Sequence, residues 1–408
     1  MQSFKEFLTD NVLEDTRNLH LEHIEDEILN FSYSGARDAL SFLEAVAGSI
    51  LGYDTNVHIS AKWDGSPAIF TGTNPENGKF FVATKSLFNR QPKICYTAED
   101  VKANHSGDLA TKLTIALEEF STLGIEGILQ GDLMFTDTDL RHQRIDESSY
   151  VTFAPNTITY AVPSDSHLGQ RIANSRIGVI FHTSYVGESI SNLVASFGAD
   201  ISNLKQSDAV WFDDATYIEE SAAPLPMTQT ETYLLIRHLE HAEKMFEDLE
   251  KSDLDEMIDH PDMVKMIKMY TNKCIIEDSN GLKDSKQFVS GLIEYIHDRL
   301  ESEKSVLTTP AAIERRDKKK AELHKYIEEQ RKMLETLYEF QRYVIEAKRV
   351  LLKKLNEASK VTTFLETQEG YVPTAQEGFV IVNSYSNRAV KLVDRMEFSR
   401  ANFRRNRK

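Results

Sequence analysis

With 408 residues, 41% hydrophobic and 27% charged, the chain is long enough for one large core or two ordinary ones, and two domains are expected. It has no apolar run of about eighteen residues, and Met1-Gln2-Ser3-Phe4-Lys5 lacks the charged-then-apolar order of a secretory signal, so a soluble intracellular protein without membrane attachment is expected. The formal charge of −17 argues against non-specific coating of nucleic acid, which draws on clustered lysine and arginine.

Charge is unevenly spread. From Asp213 to Glu303 there are 22 acids against 9 bases, whereas from Arg388 to Lys408 there are 8 bases against 2 acids. The basic strip suits a phosphate backbone, although a solvated tail would give the same pattern. Cys95 and Cys274 have neither metal-ligand spacing nor a disulfide framework, so both are expected as free thiols.

Residues 3–50 carry helical periodicity. Leu21, Ile24, Ile28 and Leu29, then Ala39, Leu40, Phe42, Leu43, Val46 and Ala47, recur on one face, with Ser34-Gly35 expected to separate two helices. His20 and His23, three apart with Glu22, Glu25 and Asp26 nearby, can be drawn as a metal site, but a solvated helix face explains them more simply.

The period changes at 57–85. His58-Ile59-Ser60-Ala61-Lys62 alternates as a half-buried strand ending in Lys62-Trp63-Asp64-Gly65. Ala68-Ile69-Phe70-Thr71 and Lys79-Phe80-Phe81-Val82-Ala83 then form a hairpin around Asn74-Pro75-Glu76-Asn77-Gly78. A helix at about 106–123 precedes strands near 125–135, 150–162, 176–186 and 208–212. Strands without a regular βαβ rhythm predict an α+β domain with mostly antiparallel sheets.

Beyond Ala222-Ala223-Pro224-Leu225-Pro226, helical periodicity dominates from Glu231 to about Ala358, interrupted near Ser252, His260-Pro261, Ser279-Asn280-Gly281 and Thr308-Thr309-Pro310. Its last piece is a long amphipathic helix from about Ala311. Leu323, Ile327, Leu334, Leu337, Tyr338, Val344, Leu351 and Leu355 form a stripe suited to a bundle, a hairpin or self-association through a coiled coil. The run Arg315-Arg316-Asp317-Lys318-Lys319-Lys320 suits a nucleic-acid backbone or the exposed start of that helix. Strand character resumes at 377–395.

The chemistry concentrates at Lys62. A lysine at a strand end can act as an amine nucleophile when partly desolvated and oriented by neighbours, and an Asp-Gly pair bends the chain so that backbone can approach a ligand. Alone, such a tetrad arises by chance in roughly one chain in ten of this length. Its company is more specific: Ile128-Leu129-Gln130-Gly131-Asp132-Leu133, Ile177-Gly178-Val179-Ile180-Phe181-His182, Glu377-Gly378-Phe379-Val380-Ile381 and Val390-Lys391-Leu392-Val393-Asp394 follow in that order.

In order and character these segments resemble the motifs of the covalent nucleotidyltransferases, the superfamily of ATP-dependent DNA ligases, RNA ligases and mRNA capping enzymes. The stretch from His20 to Asp26, through Lys62, to Phe80-Phe81-Val82-Ala83-Thr84-Lys85-Ser86 resembles a phage-encoded RNA-ligase-like branch. The resemblance covers about 15–215 and 370–403. It implies a ligase-type nucleotidyltransferase domain built from 1–220 and 366–408, interrupted by an all-α insertion at 221–365. Only 14 residues follow Asp394, so no C-terminal OB-fold is expected.

The resemblance also implies roles. Lys62 would attack the α-phosphate of ATP, and Lys391 would be its cationic neighbour and phosphate ligand. Glu377 would work with Mg²⁺. Asp132, where most relatives carry Glu, would contact ribose or a metal-bound water. Asp64 and Gly65 belong to the nucleotide-binding turn, Lys85 would touch ribose or the incoming phosphate, and Phe181 would stack on adenine, with His182 on the opposite face of the strand.

Two departures stand out. Ser66-Pro67 replaces the Arg usual soon after Asp-Gly, and Lys391 is followed two positions on by Val393 rather than a second lysine, a lack that Arg388 or Arg395 would have to compensate. The implied activity is ATP-dependent polynucleotide ligation, on RNA rather than DNA, through a lysyl-AMP intermediate in the host cytoplasm of a phage. A DNA ligase, another AMP transferase, or an inert nucleic-acid-binding scaffold are the alternatives.

Overall fold

Strand-forming and helix-forming stretches sort into two units that are interleaved along the chain. The computed structural model describes residues 22–53, 57–215, 225–277, 284–357, 361–367, 370–383 and 389–395. Of these, residues within 58–219 and 359–389 form the first unit, and residues within 22–57, 220–358 and 390–408 form the second.

The first unit has the α+β character expected from its mixed periodicity. Its strands are β1 (Val57–Lys62), β2 (Ala68–Thr73), β3 (Phe80–Ala83), β4 (Ile128–Thr136), β5 (Arg141–Ile145), β6 (Ser148–Phe153), β7 (Thr159–Pro163), β8 (Ile177–Val186), β9 (Val194–Phe197), β10 (Val210–Asp214), β11 (Thr362–Thr367), β12 (Gly370–Pro373) and β13 (Gly378–Asn383); β14 (Ala389–Leu392) falls at the division between the units. One sheet has the order β10-β8-β4-β2-β3, with β9 also on β8; a second has the order β12-β11-β7-β6-β5; and β1 lies beside β13. In the first two sheets every pairing is antiparallel except β10 with β8.

Two-residue alternation decides what each face of the first sheet does. On β8, Ile177, Val179 and Phe181 enter a core with Leu113, Ala116 and Phe120 of the Gly107–Phe120 helix. That helix presents them at helical spacing and so covers one face. Between the first two sheets, Phe153 of β6 packs 5.0 Å from Phe135 of β4 and 6.2 Å from Trp211 of β10, while Trp63 lies 5.0 Å from Tyr160 of β7. Such pairs each add about 0.5–1.5 kcal/mol beyond the area they bury.

β11 begins before the expected end of the helical insertion at residue 365. Phe364 is buried, and Thr363 pairs in register with Tyr160 of β7, so residues from 361 onward return to the sheets. Strand β5 was not anticipated: Arg141-His142-Gln143-Arg144 is an edge segment with little apolar alternation.

Among the described residues the second unit is helical apart from the β14 segment, with helices Glu27–Ile50, Gln229–Glu247, Lys251–Ile258, Pro261–Glu277, Ser285–Ser305, Pro310–Glu329 and Arg331–Glu357. The expected long last helix is two, broken at Gln330, and its whole apolar stripe from Leu323 to Leu355 is buried within the unit. Glu27–Ile50 also belongs here rather than with the sheets, because its buried face packs on Gln229–Glu247, Lys251–Ile258 and Arg331–Glu357. Its break falls at Phe31-Ser32, where Ser32 has φ 53°, just before the expected Ser34-Gly35. A Cβ on Gly35 would sit 2.0 Å from the Glu27 carbonyl oxygen, so the bend requires glycine there.

Charge inside this unit is paired. Lys348 donates to both carboxylate oxygens of Glu25 at 2.7 and 2.8 Å, and Arg395 reaches Asp26 at 3.2 Å and Asn272 at 2.5 Å. In the basic run, Arg316, Lys319 and Lys320 pair with Glu303, Asp262 and Glu301 of neighbouring helices. Cys95 and Cys274 are buried free thiols, as expected. Among the described residues no helix is long and apolar enough to cross a membrane.

Candidate functional site

Ile59 and Ala61 are buried between the less buried His58, Ser60 and Lys62, and this alternation delivers Lys62 to the end of β1, 30% exposed. The neighbouring β13 begins immediately after Glu377. As a result Lys62 Nζ lies 2.5 Å from Glu377 Oε1, with the carboxylate side chain 17% exposed.

The turn that follows Lys62 is held from both sides. Asp64 Oδ2 accepts from the backbone N–H groups of Thr157 at 2.7 Å and Ile158 at 3.1 Å, while Oδ1 accepts from Asn156 Nδ2 at 2.8 Å. The Asp64 N–H donates to the Tyr160 hydroxyl at 2.7 Å. Ser66 N–H donates to the Leu133 carbonyl at 2.9 Å, and Leu133 N–H to the Pro67 carbonyl at 3.1 Å, so the turn is stitched onto β4. Gly65 is required at this seam: a Cβ there would lie 2.5 Å from Asp132 Cβ.

Lys62, Asp132, Lys85, His182 and Gln130 line one cavity with about 1040 Å³ of space, its open mouth included. Gln130, Asp132, Ile180 and His182 reach it from the face of the first sheet opposite the Gly107–Phe120 helix. His182 Nε2 lies 3.7 Å from Asp132 Oδ2, and its Nδ1 hydrogen-bonds the Thr183 hydroxyl at 2.8 Å. Tyr185 donates to Gln130 Oε1 at 2.8 Å.

Negative charge is concentrated around the lysine. Burial pushes the Glu377 carboxyl above its ordinary value; the Lys62 ammonium pulls the other way, but Asp64 and Asp132 add to the upward push. Burial likewise pushes the Tyr160 hydroxyl upward. Among the described residues no three His, Cys, Asp or Glu side chains converge as a self-sufficient metal site.

The structure brings together Lys62, Glu377, Asp132 and Lys85 from the residues singled out in sequence. Asp64 and Gly65 are next to them, but the Asp64 carboxylate is occupied by the 156–158 backbone and side-chain donors, and Gly65 by its contact with β4. Phe181 is fully buried in the helix-covered core, 6.1 Å from Phe120, and does not line the cavity. The expected stacking platform is thus turned away, and His182 is the cavity residue of this pair.

Lys391 belongs to the second unit, where its N–H donates to the Glu22 carbonyl at 3.0 Å. Arg395 is likewise committed to the buried pairs of that unit. Arg388, His20 and the basic tail from 396 lie outside the described residues. Gln130, Thr183 and Tyr185 were not anticipated; the signal available for Gln130 was its two-residue offset from Asp132 on one strand.

A family model of unknown function, DUF6267, matches residues 18–407. The chain belongs to that family. No curated protein and no solved structure matches the chain. The family match spans both units, so the sheet-bearing unit and its helical companion form one family architecture.

Proposed function

We propose that the first unit is an ATP-dependent nucleotidyltransferase that carries AMP on Lys62 and serves polynucleotide ligation, with RNA as the favoured acceptor. One observation carries the reading: the Lys62 amine is held 2.5 Å from a largely buried carboxylate, on the wall of a cavity also lined by Asp132 and Lys85. The preference for RNA rests on the resemblance to RNA-ligase-like proteins.

In the first step Lys62 Nζ attacks the α-phosphorus of ATP. The N–P bond forms as the bridging α–β P–O bond breaks, and pyrophosphate leaves with the electron pair. Before the attack the Lys62 ammonium gives one proton to Glu377, whose raised affinity for protons suits it to accept one, and the N–P nitrogen sheds its second proton to the departing pyrophosphate. AMP then moves to a 5′-phosphate end, breaking the N–P bond, and a 3′-hydroxyl displaces AMP to seal the strand. Such transfers depend on positioning and charge neutralisation rather than on much covalent chemistry by the protein.

The donor set fits Mg²⁺, which binds through one or two carboxylates together with substrate phosphates and water. Glu377 and Asp132 are the residues that would hold it, and their mutual repulsion is what a cation relieves. The ion would neutralise the triphosphate. Lys85 adds a cation for a phosphate or ribose at the cavity wall.

The test is incubation with α-labelled ATP and Mg²⁺ followed by denaturing electrophoresis. Label that stays on the wild type and disappears in Lys62→Ala is expected; an unlabelled wild type overturns the reading in favour of an inert scaffold. Challenging the labelled protein with nicked RNA, nicked DNA and RNA–DNA hybrids then identifies the acceptor.

A further inference from the structure

The segment joining β3 to the Ala98–Asn104 helix stands apart electrostatically. From Thr84 to Thr97 it contains Lys85, Arg90 and Lys93 and no acidic residue, in a chain of net charge −17. It is also firmly fixed. Val82 and Cys95 exchange both backbone hydrogen bonds at 3.0 Å across its base, and Lys93 N–H donates to the Ser86 carbonyl at 3.4 Å. Leu87 is buried, Phe88 packs 5.1 Å from Phe70 and 5.6 Å from Tyr185, and Ile94 and Tyr96 join the same cluster.

The apolar residues of the loop therefore face inward, while Lys85, Arg90 and Lys93 are exposed. Among the described residues Lys85 and Arg90 have no acidic partner, and Lys93 Nζ donates only to the Asn104 carbonyl, at 3.3 Å. Two other cations of this unit are neutralised, Lys112 by Asp108 and Asp139 and Arg176 by Glu118 and Glu119; what sets the loop apart is three exposed cations within nine residues and no acid among them. Exposed Asn89 and Gln91 add neutral hydrogen-bonding groups between the cations. At one end of the loop Lys85 lines the cavity that contains Lys62.

We propose that the 84–95 loop is the docking track for the sugar-phosphate backbone of a single-stranded RNA end, leading its 5′-phosphate past Lys85 into the cavity. Unpaired cations spaced along a rigid surface and interleaved with amides are what backbone contacts use, and they fix position without reading sequence. The choice of ligand rests on the nucleotidyltransferase reading.

The experiment is fluorescence anisotropy of a 5′-phosphorylated, fluorescein-labelled single-stranded RNA against full-length protein over a salt series. Arg90→Ala/Lys93→Ala is compared with wild type and with Arg141→Ala/Arg144→Ala on the exposed strand β5; Lys85 is left intact. The loop variant should bind about tenfold more weakly, and its log–log salt slope should fall by about 1.4, the loss of two single-strand phosphate contacts. Arg90→Lys/Lys93→Arg, which preserves charge, should keep the wild-type slope, and thermal unfolding checks that all variants fold.

Absence of wild-type binding, an unchanged affinity and slope in the loop variant, or an equal loss in the β5 variant would each overturn the proposal. A charge-preserving variant as impaired as the alanine one would do the same. Self-labelling by α-labelled ATP is scored separately, so a failure of lysyl-AMP formation remains distinguishable from a failure of RNA docking.

Discussion

The Thr157 amide donates to the Asp64 carboxylate at 2.7 Å, and this bond, with its neighbours from Ile158 and Asn156, makes Asp64 the anchor of the turn behind Lys62. Asp64 is 7% exposed, so removing its carboxylate strands two backbone donors away from water. Asp64→Ala is expected to cost about 2–4 kcal/mol of stability in urea unfolding. Asp64→Asn, which turns an amide toward a donor, should fall between. Equal stability of Asp64→Ala and wild type would show that the 156–158 donors find other partners.

Glu377 should weaken the fold at neutral pH while serving the chemistry. Its folded pKa is raised, by burial first and by Asp64 and Asp132 against the pull of Lys62, above an unfolded value of about 4.3. The folded state therefore binds more protons between those two values. The group's contribution is fully present below about pH 4.3 and is lost as pH rises through the folded pKa. Glu377→Gln should thus melt higher than wild type at neutral pH, with the difference vanishing toward about pH 4, and should lose self-labelling. A variant that melts lower at neutral pH would show that the ion pair with Lys62 outweighs the burial cost.

Parts of this geometry were legible in sequence and parts were not. The alternation of Ile59 and Ala61 placed Lys62 at a strand end, and the stripe from Leu323 to Leu355 is buried as its spacing required. Which face of β8 meets the cavity was not legible. Period-two alternation separates Phe181 from His182 but does not say which side the Gly107–Phe120 helix will cover. Strand β5 was hidden because an edge strand can be polar throughout. Periodicity marked 27–50 as amphipathic without naming its partners, which proved to be other helices. The meeting of Lys62 with Glu377 was indicated only by the order of the motifs, since pairing between segments so distant leaves no local signal.

The two residues on β8 give a direct test of facing. Phe181→Ala empties a fully buried site and should cost about 3–5 kcal/mol in urea unfolding. His182, whose side chain is 29% exposed, should tolerate alanine within about 1 kcal/mol. In calorimetric titration with ATP the order should reverse, His182→Ala weakening affinity about tenfold, equivalent to about 1.4 kcal/mol. A His182→Ala protein with wild-type nucleotide affinity would remove this residue from the binding surface.

The Glu25–Lys348 pair concerns the helical unit alone. Both side chains are 2% exposed, so neither charge can turn to solvent if its partner is removed. Burial works against the Glu25 carboxylate, yet Lys348, His23 and Arg395 hold its pKa below the ordinary value; its contribution is present above about pH 4.3 and lost as pH falls through the folded value. Asp26 has the opposite sign, because burial outweighs Arg395 and pushes it to about 6, so its contribution is lost as pH rises through that value. Lys348→Met should therefore cost about 3–5 kcal/mol at neutral pH, mostly the penalty of an uncompensated carboxylate rather than the worth of the pair. Adding Glu25→Gln to that variant should restore much of the loss, as read from urea midpoints at matched slopes. If the double variant were no more stable than Lys348→Met alone, the cost would lie in packing around Lys348 rather than in the stranded charge.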